Sequence, residues 1–179
     1  EEVALFKENL PFKLTNAQER TIKEISDDIS LTKPMRRLVQ GDVGSGKTVV
    51  AAVSMYISAK NNTQSVLLCP TEVLAEQHFK NFSAWFKNSN IKIKLLTGKM
   101  PVSKRREIYQ DLEDGEIDIL IGTHAVFQDK VKMKNLGLVV VDEQQRFGVK
   151  QRFDLVKKSS DQIMPHQLFM TAAPIPRTL

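Results

Sequence analysis

Residues Gly41-Asp42-Val43-Gly44-Ser45-Gly46-Lys47-Thr48 satisfy the pattern G-x-x-x-x-G-K-[ST] at every required position. Each residue type has a physical reason. Glycines let successive backbone N–H groups turn inward as a nest for an anion, and a helix opening at the end of the loop adds the positive end of its dipole. Lys47 reaches the β- and γ-phosphates of a nucleotide, and the Thr48 hydroxyl offers a hard oxygen to Mg²⁺. At an average glycine frequency of about 7%, chance yields such a match in a chain this long on the order of once in a hundred. The flanks supply the context that the loop needs. A strand candidate, Arg37–Gln40, precedes it, and a helix candidate apolar nearly all round, Thr48–Ala59, follows.

Working outward, the same alternation continues. Further strand candidates are Val66–Cys69, Lys92–Thr97, Asp118–Ile121, Leu138–Val141 and Gln167–Met170. Most are nearly continuous apolar runs, as parallel strands covered on both faces require. Lys92–Thr97 is different: Ile91, Ile93 and Leu95 alternate with polar residues, so one of its faces is expected to be wetter. Helix candidates lie between them. Asn16–Ile29 spaces Ile22, Ile25 and Ile29 helically, Leu74–Lys87 carries Leu74, His78, Phe82 and Trp85/Phe86 on one stripe, and Val102–Leu112 stops before Gly115, a left-handed terminator. Regular alternation of this kind predicts a doubly wound α/β domain with a mainly parallel sheet and helices on both faces. No repeat, low-complexity tract or linker interrupts it, so Glu1–Leu179 reads as a single domain.

The bulk composition agrees. A chain of 179 residues, 41% hydrophobic and 26% charged, is long enough for one core and too apolar for disorder. The formal net charge of +5 favours a polyanionic partner, although surplus surface lysine gives the same figure. A single cysteine, Cys69, excludes an internal disulfide and points to a reducing, cytoplasmic setting. Inside the apolar run Val66–Cys69 it reads as a small buried hydrophobe. No apolar stretch approaches the about 18 residues of a membrane span, and Glu1–Leu10 does not read as a signal peptide.

A second chemical signal closes the strand candidate at 138–141, where Asp142 and Glu143 follow. A parallel strand delivers its C-terminal residue to the sheet edge where ligands of open α/β folds bind. There Asp142 can hold Mg²⁺ through water, and Glu143 can orient or deprotonate an attacking water. Alone, an Asp-Glu pair after a strand is usually a solvated loop; beside an intact phosphate loop it reads as a metal and base site.

Five segments together resemble the motifs of superfamily 2 helicases: Gly41–Val50 (GDVGSGKTVV), Pro70–His78 (PTEVLAEQH), Gly122–Phe127 (GTHAVF), Asp142–Val149 (DEQQRFGV) and Thr171–Leu179 (TAAPIPRTL). In order and wording they are similar to the RecG family of ATP-dependent DNA translocases, and the resemblance covers nearly the whole chain. It implies a RecA-like fold, ATP and Mg²⁺ as ligands, and branched DNA as a partner in recombination and repair. It implies an adenine-reading segment at Phe12, Leu14, Thr15 and Gln18, with Gln18 bonding the base edge. Thr15-x-x-Gln18 also reads as a capping box, and both can hold. Thr71, Gly98, Thr123 and His124 resemble contacts to the DNA backbone, which carry no sequence information. Thr71 and Thr123 equally suit ordinary helix caps, and His124 alone reads as a packed histidine. Thr171 and Ala172 resemble the segment coupling ATP state to DNA grip, and Gln145 and Arg146 belong to the network beside the acidic motif. Lys104-Arg105-Arg106 reads as a solvated helix face. Two positions depart from the family: Gln145 stands where His is usual and Ala173 where Thr is usual, the second removing a hydroxyl from the coupling segment.

Other classes fit less well. A guanine-reading N-K-x-D and a transporter's L-S-G-G-Q are both absent from the sequence. A transcription–repair coupling translocase usually reads D-E-E-H in its acidic motif, and Gln144 favours the RecG family. A degenerate ATP-sensing or DNA-binding module is opposed by intact Lys47, Thr48, Asp142 and Glu143. The resemblance also implies a second motor domain, bearing an arginine finger, and a wedge domain elsewhere in a parent chain. This chain alone is therefore expected to turn ATP over weakly.

Overall fold

A strand with apolar residues on both sides of its pleat must find two separate apolar layers, because successive side chains point to opposite faces. The central strands meet this demand in the computed structural model, which describes residues 2–31, 33–41, 45–142 and 164–172. They are β2 (Gln64–Leu68), β4 (Ile119–Gly122), β5 (Leu136–Asp142) and β6 (His166–Ala172). Leu67, Ile119, Ile121, Leu138, Val140, Leu168 and Met170 enter one core. Their alternates Val66, Leu68, Leu120, Val139, Val141 and Phe169 enter the other. β1 (Arg36–Gly41) and β3 (Ile93–Leu96) form the two edges, giving the order β1-β6-β5-β2-β4-β3 with every pairing parallel. The edge position explains the alternating pattern of β3, where Lys94 is exposed between half-buried neighbours.

Helices cover both faces, as a doubly wound fold requires. α1 (Glu2–Glu8), α2 (Asn16–Ile29), α3 (Ser45–Lys60) and α4 (Glu72–Trp85) feed the first core. α5 (Val102–Glu113) and a 3₁₀ turn at His124–Phe127 feed the second. The bounds of α2 match the sequence expectation, because its start is a complete capping box: the Thr15 hydroxyl accepts from Gln18 N at 3.1 Å and Gln18 Oε1 accepts from Thr15 N at 2.8 Å. α3 opens three residues before the expected Thr48, and α4 opens at Glu72 because Thr71 caps it. α1 was not expected from the sequence. It is held by aromatic packing, Phe6 stacking on Tyr56 of α3 at 4.4 Å and lying 4.7 Å from the Phe86 ring.

Gly115 and Gly122 are among the glycines that geometry requires. Gly115 ends α5 with φ +76°, the left-handed conformation anticipated for it. At Gly122, where β4 ends, a Cβ would stand 2.7 Å from the Leu96 carbonyl oxygen of β3 and 2.7 Å from Val126 Cγ2. Gly98 differs, since a Cβ there would meet nothing nearer than Glu72 Oε1 at 3.8 Å. Gly122→Ala is therefore expected to cost about 1–3 kcal/mol through forced backbone shifts, and Gly98→Ala within about 0.5 kcal/mol of nothing. Urea unfolding of both variants checks this; equal stabilities would contradict the close approach of β3 and β4.

Candidate nucleotide and nucleic-acid site

In an all-parallel sheet every strand delivers its C-terminal end to the same edge. Here the ends step back gradually across the sheet. Gly41 of β1 is in register with Ala172 of β6, Met170 with Asp142 of β5, Val141 with Leu68 of β2, and Leu68 with Gly122 of β4, which in turn meets Leu96 of β3. The segments singled out in the sequence follow these ends in spatial order. The phosphate loop leaves β1, Thr171 and Ala172 close β6, and Asp142 closes β5. Thr71 follows β2, Thr123 follows β4 and Gly98 follows β3. Residues scattered from position 41 to position 172 thus share one edge, the phosphate-loop and acidic segments over β1-β6-β5 and the others over β2-β4-β3.

On the first half, Gly46, Lys47 and Thr48 lie in the opening turn of α3, whose N–H groups have no intrahelical acceptors. Such a turn attracts anions. Gly46 and Lys47 are half-buried and Thr48 is buried. Gln18 stands against the same turn: while Oε1 serves the capping box, Nε2 donates to Gly46 O at 3.4 Å. Phe12, the other expected adenine-side residue, packs edge-on against Trp85 of α4 with ring centroids 5.7 Å apart. Thr171 is half-buried, one residue from the end of β6, and is in register with Gln40.

Asp142 is 8% exposed, and parity sets its direction. Leu138 and Val140 point to the face covered by α3 and α4, so Asp142, two residues on, points there too. Its Oδ2 lies 3.0 Å from His78 Nε2 of α4. Cys69 is buried beside it; burial first, and the Asp142 charge second, push its thiol far up, so it stays protonated and acts as the small hydrophobe expected. The sequence marked His78 as one member of the α4 stripe, and Ala75, His78 and Phe82 are that stripe's buried residues. Its bond to Asp142 had no sequence signal, because it depends on which helix lies over β5.

On the second half, Thr71 is an exposed N-cap whose hydroxyl accepts from Leu74 N at 3.2 Å, which leaves its own O–H to donate. Glu72 reaches Lys99 at 3.3 Å, tying the start of α4 to the loop holding exposed Gly98. Thr123 makes no side-chain capping bond and is 8% exposed, so of the two hydroxyls only that of Thr71 stands at the surface. His124 is exposed. Lys104 and Arg106 on α5 are exposed, in keeping with a solvated face. Gly44, Glu143, Gln145, Arg146 and Ala173 lie outside the described residues.

The donor chemistry of the first half is that of a hard cation. Thr48 and Asp142 offer a hydroxyl and a carboxylate, and among the described residues no three His, Cys, Asp or Glu side chains gather into a cage. One or two protein oxygens completed by phosphate oxygens and water are the usual surroundings of Mg²⁺. Among the described residues no helix is long and apolar enough to cross a membrane.

Known proteins carry the same arrangement of segments. The chain is 52% identical over 172 residues to the ATP-dependent DNA helicase RecG of Aquifex aeolicus (strain VF5), covering 96% of this chain and 22% of the relative. It is 50% identical to that of Bacillus subtilis (strain 168) over 179 residues, which is 100% of this chain and 26% of the relative. Among solved structures, that of RecG bound to a three-way DNA junction superposes with a TM-score of 0.85 at 43% identity, over 98% of this chain and 23% of that one. The chain thus spans about a quarter of the length of the relatives it matches. The family model for DEAD/DEAH box helicases matches residues 15–179, and with nearly the whole chain inside that match, it belongs to the DEAD/DEAH box helicase family.

Proposed function

We propose that this chain is the ATP-binding first domain of a two-domain motor whose parent protein couples ATP hydrolysis to the remodelling of branched DNA. The observation that carries the reading is the meeting of the α3 opening turn and Asp142 with exposed Thr71 and Gly98 along one sheet edge. A RecG bound to a three-way junction supports a branched partner. The relatives named above all carry the RecG name, which favours that reading over a transcription–repair coupling translocase. A cytoplasmic location accords with the lone reduced cysteine.

The division of labour follows from charge. Lys47 and the N–H groups of α3 take the β- and γ-phosphates, and Gln18, beside Gly46, is placed to exchange its present bonds for the adenine edge. Thr48 and Asp142 hold Mg²⁺, which when bound neutralises charge building between the β- and γ-phosphoryl groups. Glu143, next in the chain after Asp142, aligns water and takes its proton. Thr171 and Ala172 adjoin β1, where the phosphate loop begins, and with Gln145 and Arg146 relay the ATP state. Thr71, Gly98 and His124 meet the DNA backbone, where donors and close backbone approach fix position without reading sequence, while Thr123, buried at the start of the turn that carries His124, contributes to that surface through its backbone.

Charge that develops on the transferred group calls for a further cation, and in related enzymes an arginine finger from elsewhere contributes about 10³–10⁵ in rate. Turnover by this chain is accordingly expected to fall short of that of its DNA-stimulated parent by about that factor. In the parent, Glu143→Gln binds ATP but turns it over slowly, while Lys47→Ala weakens ATP binding in a folded chain. Steady-state hydrolysis with and without branched DNA, beside nucleotide titration calorimetry, tests this. Full turnover by the chain alone would overturn the composite site, and full turnover by Glu143→Gln would overturn the base.

DNA binding by the chain alone is expected to be weak, indifferent to sequence and reduced as salt rises, since phosphate contacts release counterions. Gly98→Ala should weaken it further while leaving the fold as stable as before, because the added methyl stands where a backbone would approach. Fluorescence anisotropy across a salt series measures this, and affinity unaffected by salt would contradict it.

A further inference from the structure

His78 is an expensive residue for its position. On α4 it occupies the middle of the buried stripe Ala75, His78, Phe82, where any apolar side chain would pack. Its Nε2 is satisfied by Asp142 Oδ2 at 3.0 Å, but its Nδ1 is buried and has no hydrogen-bond partner among the described residues. A buried polar atom left unpaired is a net cost to the fold. Asp142 is in the complementary situation. It is a buried carboxylate with no lysine or arginine bridged to it among the described residues, and the nearby Cys69 thiol stays protonated. An ionised carboxylate only accepts, so in this pair the imidazole donates through Nε2–H. That single donor engages Oδ2, and Oδ1 has no hydrogen-bond partner among the described residues.

From these contacts we infer that His78 is a positioning residue for the cation: it holds the Asp142 carboxylate in the rotamer that presents its other oxygen to Mg²⁺ bound with ATP. The inference rests on the nucleotide reading above and adds a residue to it. Metal-binding carboxylates are commonly hydrogen-bonded from behind, and removing such a partner typically weakens metal binding about 10–100-fold. Without the imidazole, Asp142 gains torsional freedom, and the entropy of fixing it again falls on cation binding. Lys47 and the α3 turn do not depend on the bond, so nucleotide affinity without metal stays unchanged.

The test compares the wild-type chain with His78→Leu, which fills the space without a donor, and His78→Gln, whose amide nitrogen can reach the place of Nε2. Mn²⁺ is titrated into each chain with ATP while free Mn²⁺ is followed by electron paramagnetic resonance, and ATP affinity is measured separately in chelator. The expected result is a rise of about 10-fold in the Mn²⁺ needed for half-saturation of His78→Leu, with most of it recovered in His78→Gln and metal-free ATP affinity equal in all three. Should His78→Leu fail to fold, His78→Asn, too short to reach Asp142, takes its place with the same expectation. Wild-type Mn²⁺ affinity in the donor-less variant would overturn the inference, as would an equal loss in His78→Gln, which would mark His78 as packing alone. If the wild-type chain binds no Mn²⁺ with ATP, the nucleotide reading fails, and this inference with it. Metal-dependent binding in the wild type with no effect at position 78 would remove only the inference.

Discussion

β5 pairs in parallel with β2 on one side and with β6 on the other, and it is apolar on both faces until Asp142. That placement constrains the functional edge as a whole. Parallel pairing on both sides brings the strand ends to one edge, so the last residue of β5 stands between the β1-β6 half and the β2-β4-β3 half. The two-residue period then decides which way it faces. Leu138 and Val140 belong to the core beneath α3 and α4, so Asp142 turns toward the same helices, α3 carrying Lys47 and Thr48 and α4 carrying His78. A slip of one residue in register would turn the carboxylate to the opposite face, away from both.

α4 is the element with a contact on each side of that boundary. Its N-cap is Thr71, Glu72 in its first turn bridges to Lys99, and His78 two turns along bonds Asp142. The helix is anchored by Phe82 in the core and by Phe86 just beyond its end. The Glu72–Lys99 bridge is exposed at its lysine end and contributes little to stability. Its consequence is local, in holding the start of α4 against the Gly98 loop.

Much of the fold was legible because strands and helices differ in apolar period. Each strand of the described residues overlaps the segment that suggested it, five on largely apolar runs and β3 on an alternating one, and α2 has the bounds that Thr15, Gln18 and the Ile22–Ile25–Ile29 spacing implied. Gly115 ends α5 because only a residue tolerant of φ +76° can turn there, which is a local property readable in sequence. α1 was not legible: seven residues give too few turns for a period, and it is fixed by Phe6 meeting Tyr56 and Phe86, partners far along the chain. Strand order was invisible for the same reason, since crossovers set it. At the site, Lys47, Thr48 and Asp142 were marked by motif, whereas the His78–Asp142 bond joins residues that only the sheet order brings together. Thr71 is both the helix cap and the exposed hydroxyl that the sequence suggested, while Thr123, chosen by the same logic, is buried.

The central claim is that one edge of the sheet holds both ligands, with nucleotide over β1-β6-β5 and nucleic acid over β2-β4-β3. Backbone amide shifts, followed in separate titrations with Mg·ATP and with a short single-stranded oligonucleotide, test it most directly. ATP should move Gly46, Lys47, Thr48, Asp142 and Thr171, and the oligonucleotide should move Thr71, Gly98 and His124, while Asn61, Gly115 and Asn135 at the opposite edge stay still in both. Nucleotide-induced shifts centred on Asn61, Gly115 and Asn135, with Thr48 and Asp142 unmoved, would contradict the account.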